Sequence, residues 1–141
     1  MIGIHKNEMR LSFPAKSENE SLARMCVAAF AAAVDPTVAD LDDVRTAVSE
    51  AVTNAIIHGY DGTDGWVGIN CSLNDRELTV EVCDEGVGIA DVKQAREPLF
   101  TTKPELERSG MGFTVMEAFM DGVDVDSEEG RGTRVVMRKQ L

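Results

Sequence analysis

At 141 residues, with 43% hydrophobic and 28% charged side chains, the chain has the size and make-up of one globular domain with a real core. Its 25 acidic and 14 basic residues leave a net charge of −11, a field that repels nucleic-acid backbones and anionic membranes and favours a partner with a basic face. No stretch nears the roughly 20 apolar residues of a membrane span, and Met1 to Arg10 lacks the apolar run of a signal peptide, so a cytoplasmic protein is expected.

Met9, Leu11 and Phe13 alternate with Arg10 and Ser12, which predicts a first strand over residues 8–15, stopped near Pro14. A helix follows from Ser17, where Ser17-x-x-Glu20 reads as a capping box. Leu22, Met25, Cys26, Ala29, Phe30 and Ala33 recur at helical spacing and predict its core face. Asp35-Pro36 breaks that helix. A second runs from about Asp40 to His58, with Leu41, Val44, Val48, Ala51, Val52 and Ala55 facing inward and Gly59 available as a left-handed cap.

Val67, Ile69, Cys71 and Leu73 alternate as a strand, Asn74-Asp75 turns it, and Leu78, Val80 and Val82 alternate as the next. Residues 90–109 lose all periodicity, and a polar segment of that length reads as a lid or binding loop. A short helix from about Gly112 to Met120 and two strands near 123–126 and 133–138 complete the chain. The order β-α-α-β-β-α-β-β predicts an α+β fold over residues 1–141: a two-layer sandwich whose mixed, mostly antiparallel sheet carries helices on one face. Cys26, Cys71 and Cys83 are odd in number, lack metal-ligand spacing and lie in apolar stretches, so buried thiols of a reducing compartment are expected.

Three polar groups stand out against this frame. Asp84 falls in phase with Leu78, Val80 and Val82, so it points at the core, where a carboxylate costs several kcal/mol unless it meets donors. An adenine amino group is one such donor; a cap on the Glu85-Gly86 turn is the other reading. Gly86 and Gly88 let the backbone turn sharply and approach a flat ring. Glu50 and Asn54 lie one helical turn apart at the margin of the apolar stripe. Asn54 offers a neutral oxygen suited to Mg²⁺, and Glu50 a base for a hydroxyl beside a γ-phosphate. Taken alone, the two would read as a solvated surface pair. His58 shares their face and reads as a helix-end residue.

Ser109-Gly110-Met111-Gly112 leads into a helix, and amides at a helix start form an anion site. Lys103 and Arg108 precede it and can meet outer phosphates. Thr133, otherwise plain strand filler, lies where it can hydrogen-bond near Asp84. The chain lacks both the Gly-x-x-x-x-Gly-Lys-Ser/Thr phosphate loop and a Gly-x-Gly-x-x-Gly after its first strand.

With these motifs in this order the chain resembles the Bergerat-type ATP-binding fold of DNA gyrase, histidine kinases, a heat-shock chaperone and mismatch-repair ATPases. Within that group, Ser49–Gly59 (SEAVTNAIIHG) and Pro98–Phe113 (PLFTTKPELERSGMGF) are similar to the small stand-alone serine kinases that act as anti-sigma factors. The resemblance spans nearly the whole chain. It implies ATP or ADP with Mg²⁺, Glu50 as general base, Asn54 as metal ligand, and Asp84, Gly86, Gly88 and Thr133 around the adenine. It implies a lid from Thr101 to Gly112, with Lys103, Arg108, Ser109, Gly110, Met111 and Gly112 near the phosphates. Arg24 matches a family position for partner contact. The partners implied are a sporulation sigma factor of the sigma F type, an anti-anti-sigma factor as serine substrate, and a second copy of the chain joined at the amino-terminal strand edge. Two other functions remain open at this point: a nucleotide-gated binding module without turnover, and a detached histidine-kinase catalytic domain. The chain ends soon after its last strand, without a phospho-acceptor helix, which speaks against autophosphorylation.

Overall fold

The computed structural model describes residues 6–60, 64–89, 92, 96 and 112–141. Five strands, β1 (Lys6–Pro14), β2 (Trp66–Asn74), β3 (Glu77–Asp84), β4 (Gly122–Glu128) and β5 (Gly132–Gln140), form a single sheet in the order β1-β2-β3-β5-β4. Among the described residues three α-helices accompany it: α1 (Asn19–Ala31), α2 (Val38–Asn54) and α3 (Gly112–Phe119). The order of elements is the one expected. All four strand pairings are antiparallel, so the parallel component of a mixed sheet is not seen among the described residues.

The helices cover one face. α1 packs on β1 and β2, α2 lies against both other helices and β3, and α3 reaches β4. Period-two alternation feeds one core from every strand: Phe13, then Val67, Ile69, Cys71 and Leu73, then Leu78, Val80 and Val82, then Val123, then Val135 and Met137. The opposite face is polar and open. On it Arg134 bonds Glu81 at 2.7 Å and Arg138 bonds Asp124 at 2.6 Å. Among the described residues no helix is long and apolar enough to cross a membrane.

Both long helices depart from the sequence expectations in informative ways. α1 starts one residue later than a Ser17 cap requires: its N-cap is Glu18, with no side-chain capping bond, so the expected box does not form. Its buried residues are Ala23, Val27, Ala28, Phe30 and Ala31, while Leu22 and Met25 lie 46% and 67% exposed. The buried face of α1 is therefore rotated from the stripe that its larger side chains mark. α1 instead buries small residues, among them Ala23, Ala28 and Ala31, and packs on α2, which itself buries Ala47 and Ala51, and small side chains let two helices approach closely.

α2 buries Val44, Ala47, Val48, Ala51 and Val52, close to the stripe expected. It begins at a Thr37 cap whose Oγ1 accepts the Asp40 amide at 3.1 Å. Its end is not a glycine-capped stop. At Ala55 the α-helix passes into a π-helical turn running to Gly59, a widening that commonly accompanies functional sites. The cysteines divide as well. Cys71 is buried, but Cys26 and Cys83 are only half-buried, because Cys83 falls in the outward phase of β3 with Glu81. Burial, and then Cys26, push the Cys71 thiol up to about 12; burial, and then Glu81, do the same to Cys83.

Candidate functional site

The carboxyl end of α2 carries Glu50 and Asn54, both half-buried. What faces them is the start of α3. A β-carbon on Gly112 would stand 3.1 Å from Asn54 Nδ2, 3.3 Å from Asn54 Oδ1 and 3.3 Å from Glu50 Oε2. Contacts that tight are the reason for a glycine here: any side chain would push the amide and the carboxylate aside. α3 is held in place by its own core face, Phe113 and Met116, and by Met120 just beyond it. Two segments far apart in sequence thus meet at one polar spot beside the core.

At the far end of β3, Asp84 stands opposite Thr133 on β5 and Val67 on β2. Its side chain follows the inward phase expected of it. Burial pushes the Asp84 carboxyl above its ordinary value of 3.8, and the backbone amides of Gly86 and Thr133 pull it part of the way back. Asp84 Oδ1 accepts the Gly86 amide at 2.9 Å, so the turn cap is real. That bond occupies one of several acceptor positions of a carboxylate and leaves capacity for a further donor.

The loop after Asp84 is pinned on both sides. Gly88 sits at φ +76, a conformation open to glycine, and a β-carbon there would overlap the Glu128 carbonyl. The Gly130 amide donates to the Val87 carbonyl at 2.7 Å, and the Ile89 amide to Ser127 Oγ at 2.7 Å. Ser127 Oγ also shares a 2.8 Å bond with Thr133 Oγ1 and donates to the Gly132 carbonyl at 3.0 Å. Gly132, at φ +118, lets β5 pass so close to Asp84 that a β-carbon would overlap the Asp84 carbonyl. Thr133 therefore acts near Asp84 through its amide, while its hydroxyl is engaged with Ser127.

Tyr60 was not found from the sequence. It follows the π turn, is 7% exposed, and its hydroxyl accepts the Glu85 amide at 2.9 Å while donating to the Trp66 carbonyl. Ser127 was missed too. Neither stands in a motif; both are recognisable only once the Asp84 loop has neighbours. An open cleft of about 510 Å³ lies beside this loop, lined by Tyr60, Asp64, Glu85, Gly86, Val87, Glu129 and Gly130.

The remaining expectations divide. Thr101, Lys103, Arg108, Ser109, Gly110 and Met111 lie outside the described residues. Arg24 lies on α1, pairing with Glu20 at 3.6 Å and Ser21 Oγ at 3.2 Å, beside the exposed Leu22 and Met25. His58 lies half-buried within the π turn. Among the described residues no group of three His, Cys, Asp or Glu side chains could hold a metal by itself. The amide oxygen of Asn54, beside the Gly112 start of α3, is of the kind suited to an ion that takes few protein ligands and completes its shell with waters and phosphates, as Mg²⁺ does.

Residues 13–139 match the model of the histidine kinase-like ATPase domain. The chain is 60% identical over 136 residues to the anti-sigma F factor of Clostridium acetobutylicum, covering 96% of this chain and 95% of that protein. It is 56% identical over 136 residues to the anti-sigma F factor of Clostridium beijerinckii, with the same coverage of both. In fold it is similar to the crystal structure of the RsbU and RsbW domains of a Mycobacterium tuberculosis protein, at a TM-score of 0.68 and 20% identity, over 96% of this chain and 32% of that one.

Proposed function

The chain belongs to the anti-sigma F factors, built on a histidine kinase-like ATPase domain, and from that premise we propose that it is an ATP-dependent protein serine kinase that also sequesters a sigma factor. As a single kinase domain it inhibits a sporulation sigma factor of the sigma F type when ATP is bound. It phosphorylates a serine of an anti-anti-sigma factor, which releases that substrate and preserves inhibition. The observation that carries the reading is the Gly112 notch, where the Glu50 carboxylate and the Asn54 amide converge at a helix start.

Each residue has a part. Asp84 accepts a hydrogen bond from the adenine amino group, in a site whose burial already makes an added donor welcome. Asn54 offers its amide oxygen to Mg²⁺, which when bound neutralises charge on the phosphate oxygens. Glu50 accepts the proton of the incoming serine hydroxyl and orients that oxygen toward the phosphorus. Little covalent chemistry is asked of the protein beyond this positioning. Arg24, flanked by the exposed Leu22 and Met25, supports a partner-binding face on α1, since apolar side chains beside an arginine are the usual make-up of an interface centre. The net charge of −11 suits a basic surface on the sigma factor. A homodimer joined along β1, an edge strand of the sheet, belongs to the same proposal.

The test uses labelled ATP, Mg²⁺ and the anti-anti-sigma factor, with wild type and Glu50→Gln. Label appears on a partner serine with wild type and falls at least about 100-fold with Glu50→Gln, while nucleotide binding persists. Label on histidine would support the histidine-kinase reading, and ATP binding with no transfer would make the chain a nucleotide-gated binding module.

A further inference from the structure

Tyr60 joins three parts of the site: the end of the α2 helix, the start of β2 and the turn after β3. It follows directly on the π turn that ends the Glu50–Asn54 helix. Its ring lies against Gly65, so closely that a β-carbon there would overlap the ring carbons. Its hydroxyl, buried at the base of the sheet, receives the Glu85 amide and gives its proton to the Trp66 carbonyl at the start of β2. Glu85 and Gly86 are the two residues whose amides follow Asp84, and the Gly86 amide is the one bound to the Asp84 carboxylate. A turn whose first amide is fixed from outside and whose second is fixed by the carboxylate leaves that carboxylate little rotational freedom.

We propose that Tyr60 is the positioning and specificity-determining residue of the adenine site: its phenol, bridging Trp66 and Glu85, locks the turn that aims the Asp84 carboxylate, and so sets the preference for a 6-amino purine over a 6-oxo purine. The inference rests on the nucleotide reading of Asp84 given above. Phenylalanine at position 60 keeps the ring over Gly65 and removes only the hydroxyl. The Glu85 amide then loses its acceptor, the turn gains freedom, and the carboxylate can rotate away from an amino group or accommodate a carbonyl. Alanine at Gly65 reaches the same end from the other side, because its methyl group displaces the ring and carries the hydroxyl off the Glu85 amide.

The experiment measures the dissociation constants of ATP and inosine triphosphate, with Mg²⁺, for wild type, Asp84→Asn, Tyr60→Phe and Gly65→Ala. Amide hydrogen exchange at Glu85 and thermal melting without nucleotide accompany them. Tyr60→Phe should weaken ATP about three- to tenfold, the worth of one hydrogen bond, while inosine triphosphate holds or improves. Gly65→Ala should reproduce the narrowed ratio, and the Glu85 amide should exchange faster in both while the Val82 amide does not. If Asp84→Asn leaves the ATP preference intact, the nucleotide reading of Asp84 fails and the inference falls with it. If Asp84→Asn removes the preference and both other variants keep it, or weaken the two nucleotides equally, Tyr60 is a structural residue only and the inference alone is overturned. A lowered melting temperature with an unchanged ratio has the same meaning.

Discussion

Asp84 is where stability and binding oppose each other most directly. Its carboxyl is raised by burial, so between the unfolded and the folded titration points the native state binds more protons than the unfolded chain. Stability therefore falls as pH rises from 3.8 through the raised native value, and the burial cost is fully present above it. Asparagine at this position still accepts the Gly86 amide and carries no charge. The stability of Asp84→Asn minus that of wild type, from urea denaturation, is expected to climb across that window and then level off. A difference that stays flat with pH would show that Asp84 is not held against the core. The inward phase of Asp84 was readable from alternation alone, since its side-chain direction follows from Leu78, Val80 and Val82. The Gly86 turn cap and the nearness of Thr133 were open to the same reading. The Tyr60 restraint was not, because it reaches the neighbouring Glu85 through a loop closed over 25 residues.

Among the elements, α2 is the one that organises the site. It is sandwiched between α1 and α3, and its carboxyl end carries Glu50 and Asn54 one turn apart. Its beginning depends on Thr37, whose hydroxyl satisfies the otherwise orphaned Asp40 amide. Thr37→Ala should lower stability by about 1 kcal/mol, measured by chemical denaturation, and Thr37→Ser should restore most of it. Little or no loss in Thr37→Ala would mean that water replaces the cap. The inward face of α2 was legible because its stripe is made of branched residues with clear periodicity. That of α1 was misread because its true contact face is small and its large residues, Leu22 and Met25, are directed outward. Periodicity alone cannot say which of two apolar arcs a neighbour will take. The neighbour decides, and α1 packs on α2 and the sheet with Ala23, Ala28 and Ala31 buried, small residues that allow close approach.

Across the whole molecule, Lys139 ties the layers together at the end remote from the Gly112 notch. It is only 8% exposed, donates to the Phe119 carbonyl at 2.7 Å, and has Asp40 and Asp43 at 3.9 and 3.7 Å. One side chain from β5 thus anchors the last turn of α3 to the first half of α2, while Gly112 sets the opposite end of α3 against Glu50 and Asn54. Lys139→Met keeps the apolar stem and removes the charged donor. A loss of about 1–3 kcal/mol is expected in thermal or urea unfolding. No measurable change would mean that the Phe119 carbonyl finds water instead.

The sequence by itself determined the order of elements, the antiparallel core strands, the helical spacing of Glu50 and Asn54, and the inward aim of Asp84. These follow from local periodicity, which depends on the geometry of one strand or one helix. Only the tertiary structure decided that Gly112 closes on Glu50 and Asn54, that Tyr60 and Ser127 pin the Asp84 loop, and that α1 turns its small residues inward. Those contacts join residues distant in the chain. Their energies come from excluded volume and hydrogen-bond partners that exist only once the sheet has assembled.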